Sequence, residues 1–358
     1  MRAAVLNAYN EPLEIMDLAA PNLGPYDVRI QIDASGVCHS DLTVQKGGVP
    51  MPPPLILGHE GSGHVLEVGD AVSRVKVGDR IISSFTAACG NCWFCLHDKT
   101  NLCQHTTDSM FATRGTKADG TAVFGMTGLG TFSDEMVLAE IQAVPIVTEL
   151  PAEILALIGC GVTTGVGAAL NTAGIKPGDS VAIIGGGGVG QAVVQGARIA
   201  GASRIFIIDP VEMKRKTAET NGATDLIDPC AGDPIQQVKD ATGGRGADVV
   251  LEVVGLPELI LQAFQMARSG GTIVVVGMPR MDAQVTFPAF NLFSDEKNLK
   301  GCMYGSSQNR RDFQRYVDLV DTGRLNVADM VSRRIKLDEI NDAFRAMEAG
   351  EVIRSVIV

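Results

Sequence analysis

Ser180-Val181-Ala182-Ile183-Ile184-Gly185-Gly186-Gly187-Gly188-Val189-Gly190-Gln191-Ala192-Val193-Val194 is the stretch on which the fold turns. An apolar run of strand length is broken by glycines and followed by a helical pattern that reaches Ala200. A second apolar run, Ile205-Phe206-Ile207-Ile208, ends on Asp209, nineteen positions beyond Gly190. Strand, glycine turn, helix, strand and acid make one βαβ half with the dinucleotide fingerprint. Gly185 allows the tight turn, Gly187 lets the backbone approach a pyrophosphate, and Gly190 lets the helix pack on the strand. The N–H groups that open the helix, with its dipole, face the phosphates. Asp209 can accept both adenosine ribose hydroxyls and repels a 2′-phosphate, which predicts NAD over NADP. Lys214, five residues on, is placed to reach the same ribose.

Outward from this turn, apolar runs at 181–184, 205–208, 225–227, 248–253 and 272–276 alternate with helical patterns. That rhythm predicts an α/β region with a parallel, doubly wound sheet. Before about residue 150 the runs are shorter, at 28–33, 55–57, 64–68 and 80–82, with Gly, Pro and Asp between them, as in an irregular β domain. Pro50-Met51-Pro52-Pro53-Pro54 holds an extended segment in front of Gly58-His59-Glu60. Helical spacing returns at 312–320 and 340–347, and 356–358 reads as a last strand.

The 358 residues suffice for two domains, and 46% apolar with 20% charged residues describes a globular chain. A net charge of −11 argues against nucleic acid or an anionic membrane as partner. The first residues lack a signal-peptide run, so a cytoplasmic location is expected. The uncharged stretch 154–175 is interrupted by Gly, Thr and Asn and falls short of the about 20 predominantly apolar residues of a membrane span.

Six of the eight cysteines and all five histidines precede residue 161. Cys89, Cys92, Cys95 and Cys103 have the spacing C-x2-C-x2-C-x7-C. Four thiolates so close suit a tetrahedral zinc with every position filled, hence a structural one. Disulfides and an iron–sulfur cluster are the alternatives, disfavoured by the expected compartment and by the ferredoxin spacing. Cys38, His59 and Cys160, far apart in sequence, form a Cys2His set of the kind that leaves a fourth zinc position open.

Gly36-Val37-Cys38-His39-Ser40-Asp41, Gly58-His59-Glu60-Gly61-Ser62-Gly63, the four-cysteine loop, Gly159-Cys160-Gly161-Val162-Thr163-Thr164-Gly165 and the glycine turn occur in the order and spacing of the zinc-dependent medium-chain alcohol dehydrogenases. The resemblance covers essentially the whole chain. It implies a GroES-like β-rich catalytic domain over 1–161 and 304–358, with a Rossmann domain over 162–303 between its parts. It also implies two zincs per chain: Cys38, His59 and Cys160 would hold the catalytic one, with Ser40 carrying the alcohol proton. Asp41, Glu60 and Arg354 would orient those ligands, and Arg354 would also reach the pyrophosphate. His39, Thr164, Gly188, Val189 and Val276 join the glycines, Asp209 and Lys214 as expected NAD contacts. Phe85, Met278 and Met303 match substrate-pocket positions.

The activity implied is hydride transfer between a small alcohol or aldehyde and NAD, the metal acting as a Lewis acid. Several relatives carry a histidine three residues after the relay hydroxyl, where this chain has Thr43. The apolar pocket residues suggest primary alcohols with a hydrocarbon or aromatic body. Members that oxidise a formaldehyde adduct of a cellular thiol also resemble this chain, and Arg114 or Lys117 could serve so anionic a substrate. A zinc-stabilised binding protein without catalysis is the remaining alternative, opposed by the complete Cys2His set. The apolar strand 272–276 lies near the edge through which relatives dimerise, so a homodimer or homotetramer is expected. Cys230 and Cys302 receive no role.

Overall fold

The computed structural model describes residues 1–358 and divides into two units, one of Met1–Gly161 with Gln308–Val358 and one of Val162–Ser307. In the second, the apolar runs become a parallel sheet of β1 (Ser180–Ile184), β2 (Arg204–Ile208), β3 (Asp225–Ile227), β4 (Ala247–Glu252), β5 (Ala267–Val275) and β6 (Asn298–Gly301), in the order β3-β2-β1-β4-β5-β6. Alternation along β1 builds both cores. Val181 and Ile183 pack with Val193, Val194 and Ala197 of the helix Gly188–Ala200, and Ala182 and Ile184 with Val250, Ala263 and Phe264 on the other face. Chain order reverses at β1, and the crevice outside the carboxyl ends of β1, β2 and β4 is where such sheets bind ligands. β6 was not legible as a strand. Asn298-Leu299-Lys300-Gly301 forms by pairing with Thr272–Val275 of β5, and all four of its residues are exposed on the edge.

The other unit holds two sheets. Five short strands pair in the order Glu14–Asp17, Arg2–Leu6, Leu55–Ile56, Ala122–Gly125, Thr113–Thr116. The longer sheet runs Ala143–Pro145, Arg80–Ser83, Glu60–Val68, Asp27–Val37, Arg354–Ile357, Val331–Ile335, with Glu135–Ala139 also paired to Asp27–Val37. Its register sets up the site. Gly36 pairs with Glu60 and Val37 with Ser355, so the residues around Cys38, His59 and Arg354 meet at one end of three adjacent strands.

The uncharged stretch becomes one apolar helical run, Ala152–Ala173, mostly buried as a core helix is. It contains two π-helical turns, Ile158–Val162 and Ala168–Ala173, and Cys160 lies in the first.

Candidate metal and dinucleotide sites

Cys38 ends the strand Asp27–Val37 and caps the helix His39–Gln45. Asp41 in the first turn of that helix is fully buried and ties two candidate ligands together. Its Oδ2 accepts the Cys38 N–H at 2.8 Å, while its Oδ1 accepts the Gly58 N–H at 3.1 Å and lies 3.0 Å from Nδ1 of His59. With Nδ1–H donating to Asp41, Nε2 keeps its lone pair for a metal. The ligand atoms of Cys38, His59, Glu60 and Cys160 all lie within 4.8 Å of one another, and all four residues are buried.

Charge follows this geometry. The Cys160 thiol hydrogen-bonds to Cys38 and, despite burial, holds it well below the usual thiol range, helped by the charges of Arg354 and His59; the same bond and burial push Cys160 up. Burial opposes charge on His59, but Asp41 and Cys38 outweigh it and raise its pKa. Beneath the set, burial pushes Glu60 up to about 7 against the pull of Arg354. The Arg354 guanidinium lies 3.0 Å from Glu60 Oε1 and donates to the Val37 carbonyl at 3.0 Å, while Glu60 Oε1 accepts the Gly161 N–H at 3.2 Å. The pair therefore grips the residue next to each of Cys38, His59 and Cys160. A Cβ at Gly161 would fall 2.0 Å from Nη2 of Arg354, so a side chain there would push the guanidinium out of this arrangement. Two thiols and an imidazole converging with one thiol acidified are a donor set that fits zinc.

Ser40 Oγ lies 3.8 Å from Cys38 Sγ. His39 is exposed at the start of its helix, and the Thr43 hydroxyl donates to the His39 carbonyl at 3.0 Å. The half-buried Phe85 meets the His59 ring in a T-shaped pair, with centroids 5.6 Å apart and an interplanar angle of 82°.

In the four-cysteine loop the Sγ atoms of Cys89 and Cys95 are 3.9 Å apart and those of Cys92 and Cys103 are 3.8 Å apart. A zinc tetrahedron with Zn–S of about 2.3 Å has edges of about 3.8 Å, so the spacing fits. All eight cysteines are free thiols, which removes the disulfide alternative. Backbone N–H groups of Cys92 and of Cys89 and His105 point at the sulfurs of Cys89 and Cys103, and those of Cys95 and Gln104 pull the Cys92 thiol down to about 6. Trp93 stacks on His97 with ring centroids 4.2 Å apart.

In the Val162–Ser307 unit, the glycine turn follows β1. Gly185 has φ +106°, Gly187 precedes the helix, and Gly188, Val189 and Gly190 form its first turn. A Cβ on Gly190 would lie 2.0 Å from the Gly185 carbonyl oxygen, so the close packing expected of this position is real. Asp209, buried at the end of β2, accepts the Gly186 N–H at 2.7 Å and the Val211 N–H at 2.8 Å. Asp209 and the half-buried Lys214 both flank Gly186. Thr164 lies in the segment Thr163–Gly167, which packs on the first turn of the glycine-turn helix at Gly165, and Val276 follows β5. Met278 and Met303 are largely exposed in this unit.

Glu252 was missed. It ends β4 as Asp209 ends β2, fully buried, with Oε1 accepting the N–H groups of Val254 and Gly255 at 2.8 Å and Oε2 without a partner. An acid closing the apolar run Val249-Val250-Leu251 was the available signal. Segment 104–130 supplies two strands, Thr113–Thr116 and Ala122–Gly125, to the five-stranded sheet. Arg114, expected as a candidate for an anionic substrate, is 5% exposed and donates to the Gly128 carbonyl, while the half-buried Lys117 donates to Asn7. Cys302 accepts a hydrogen bond from Thr172 at 3.2 Å, whereas Cys230 is exposed.

A parallel sheet carrying a dinucleotide turn, joined in one chain to a β-rich unit with two thiolate-rich metal sites, defines a zinc-binding dehydrogenase. Sequence comparison agrees: residues 24–152 match the alcohol dehydrogenase GroES-like domain and residues 188–322 the zinc-binding dehydrogenase domain. The chain is 40% identical to an S-(hydroxymethyl)glutathione dehydrogenase of Synechocystis sp., over 99% of both chains. Among solved structures it superposes with a TM-score of 0.93 on an alcohol dehydrogenase zinc-binding domain protein from Burkholderia ambifaria, at 30% identity over 99% of this chain and 98% of that one. It matches the benzyl alcohol dehydrogenase of Acinetobacter calcoaceticus with the same TM-score and coverage, at 29% identity. The chain belongs to the zinc-dependent medium-chain alcohol dehydrogenase family, and is an NAD-dependent oxidoreductase.

Proposed function

We propose that the chain oxidises the hydroxymethyl group of a formaldehyde–thiol adduct with NAD, at a site where Cys38, His59 and Cys160 hold the catalytic zinc. The observation that carries the substrate class is the 40% identity to the Synechocystis enzyme over 99% of both chains. Zinc there would supply Lewis acidity at the substrate oxygen, and NAD on the glycine turn would accept the hydride. Asp41 fixes the His59 tautomer and the Cys38 backbone, and the Glu60–Arg354 pair holds the three ligand-bearing segments in register. Ser40 takes the hydroxyl proton. Thr43 gives that proton no onward path, because the Thr43 hydroxyl already donates to the His39 carbonyl, which cannot serve as a base.

The ring of Phe85 against His59 favours a second reading, oxidation of primary alcohols with an aromatic or hydrocarbon body. Comparing NAD-linked turnover of formaldehyde plus glutathione or mycothiol with that of ethanol and benzyl alcohol decides between them. The adduct is expected to lead in kcat/KM by at least about tenfold; a lead for benzyl alcohol would establish the second reading instead. We further propose that a second copy of the chain covers β6, whose four residues are exposed, together with Phe290 and Phe293 of the preceding helix Ala289–Ser294, 75% and 78% exposed.

A further inference from the structure

We propose that Asn309 is a positioning residue for substrate selection: it clamps the segment Ser84-Phe85-Thr86 and so sets the angle of Phe85 over His59. The proposal rests on Phe85 being a wall of the substrate pocket. Asn309 is 4% exposed and opens the helix Asn309–Asp321. Its amide nitrogen donates to Ser84 Oγ at 2.6 Å and to Thr86 Oγ1 at 2.7 Å, so both protons of one NH2 group are used on the two residues that flank Phe85. Neither bond touches Phe85 itself. The Ser84 hydroxyl in turn donates to the Thr86 carbonyl at 2.9 Å, closing a small ring behind the aromatic side chain.

The segment is held from a second direction. The Ser84 N–H donates to the Gln142 carbonyl at 2.8 Å, and the fully buried Gln142 amide returns a longer bond to the Ser84 carbonyl at 3.4 Å. Gln142 acts on the backbone of Ser84 and Asn309 on the two hydroxyls, so the segment that follows the strand Arg80–Ser83 is held from two sides. So many hydrogen bonds around one half-buried ring have a physical consequence. An aromatic ring that stays fixed discriminates by shape, whereas one free to swing accommodates any substrate of similar polarity.

Removing the clamp should therefore change selectivity more than overall rate. Asn309→Leu keeps the branched shape and abolishes both bonds; Thr86→Val removes one of them and is the milder variant should the first fold poorly. With both zincs retained, Asn309→Leu is expected to shift the ratio of kcat/KM for benzyl alcohol to that for ethanol by about tenfold, and Thr86→Val to shift it less, in the same direction. The dissociation constant of benzyl alcohol measured by calorimetry should move with the ratio. In a Phe85→Ala background Asn309→Leu should leave the ratio where Phe85→Ala put it, since a group acting through Phe85 has nothing left to act on. A uniform fall with both alcohols, or an undiminished effect of Asn309→Leu without Phe85, overturns the clamp. If Phe85→Ala alone leaves the ratio unchanged, the pocket reading falls and the proposal with it; if it shifts the ratio while Asn309→Leu and Thr86→Val do not, the clamp alone falls.

Discussion

Cys160, Asp209 and Glu252 each carry a distinct expectation. Replacing Cys160 with Ala takes one sulfur from the buried Cys2His set and leaves the four-cysteine loop intact. Zinc should fall from two per chain to one, with activity down by more than about a hundredfold; metal analysis showing two zincs with full turnover would remove Cys160 from the site. Asp209→Gly deletes the carboxylate that would repel a 2′-phosphate, so the preference for NAD over NADP should drop by at least about tenfold in paired kinetics. Because Asp209 also binds the Gly186 N–H, the ratio of the two cofactors is the informative quantity, not the rate with either. Burial raises the Glu252 carboxyl above its ordinary 4.5, outweighing the N–H groups of Gly255 and Val254. The folded chain thus prefers the neutral acid. The stability this confers is present below the ordinary pKa and is lost as pH rises through the higher folded value. Glu252→Gln keeps an oxygen for both N–H groups and carries no charge, so its Tm, followed by calorimetry from about pH 4 to 8, should decline less than that of the wild type.

Among the elements, the π turn Ile158–Val162 matters most, since it presents Cys160 and then brings Gly161 against Arg354. Gly161→Ala should cost about 1–3 kcal/mol by overpacking and leave about one zinc per chain, which denaturant melts combined with metal analysis would show. An unchanged melt with both metals retained would mean that Arg354 can move aside. Such a turn has no signature in sequence, because its residues are those of any buried helix. β1, β2, β4 and the Thr272–Val275 end of β5 were legible for the opposite reason: parallel strands inside a sheet are continuous apolar runs, and Gly185 to Gly190 can serve few other purposes. β6 was not, because an edge strand needs no apolar face and Asn298-Leu299-Lys300-Gly301 takes its form from β5 alone. The pairing of Cys38, His59 and Cys160 was readable as a set of ligand types, while their convergence depends on strand register that no local pattern encodes. Arg114 misled because a charge in a polar stretch reads as available to a ligand until tertiary packing covers it.

For the molecule as a whole, the bare edge at β6 carries the assembly expectation. An exposed edge strand, preceded in the chain by two exposed phenylalanines, is a surface that proteins tend to cover. The wild type should sediment as a dimer or larger, and Phe290→Lys combined with Phe293→Lys should sediment as a monomer; a monomeric wild type would refute the proposed interface. The chain also contains a single tryptophan, Trp93, sitting between Cys92 and Phe94 with its ring on His97. All indole fluorescence therefore originates in the four-cysteine loop. Emission during treatment with a chelator times the departure of that loop's metal in the intact enzyme, while loss of turnover times the other, so one cuvette resolves two metals that elemental analysis only sums.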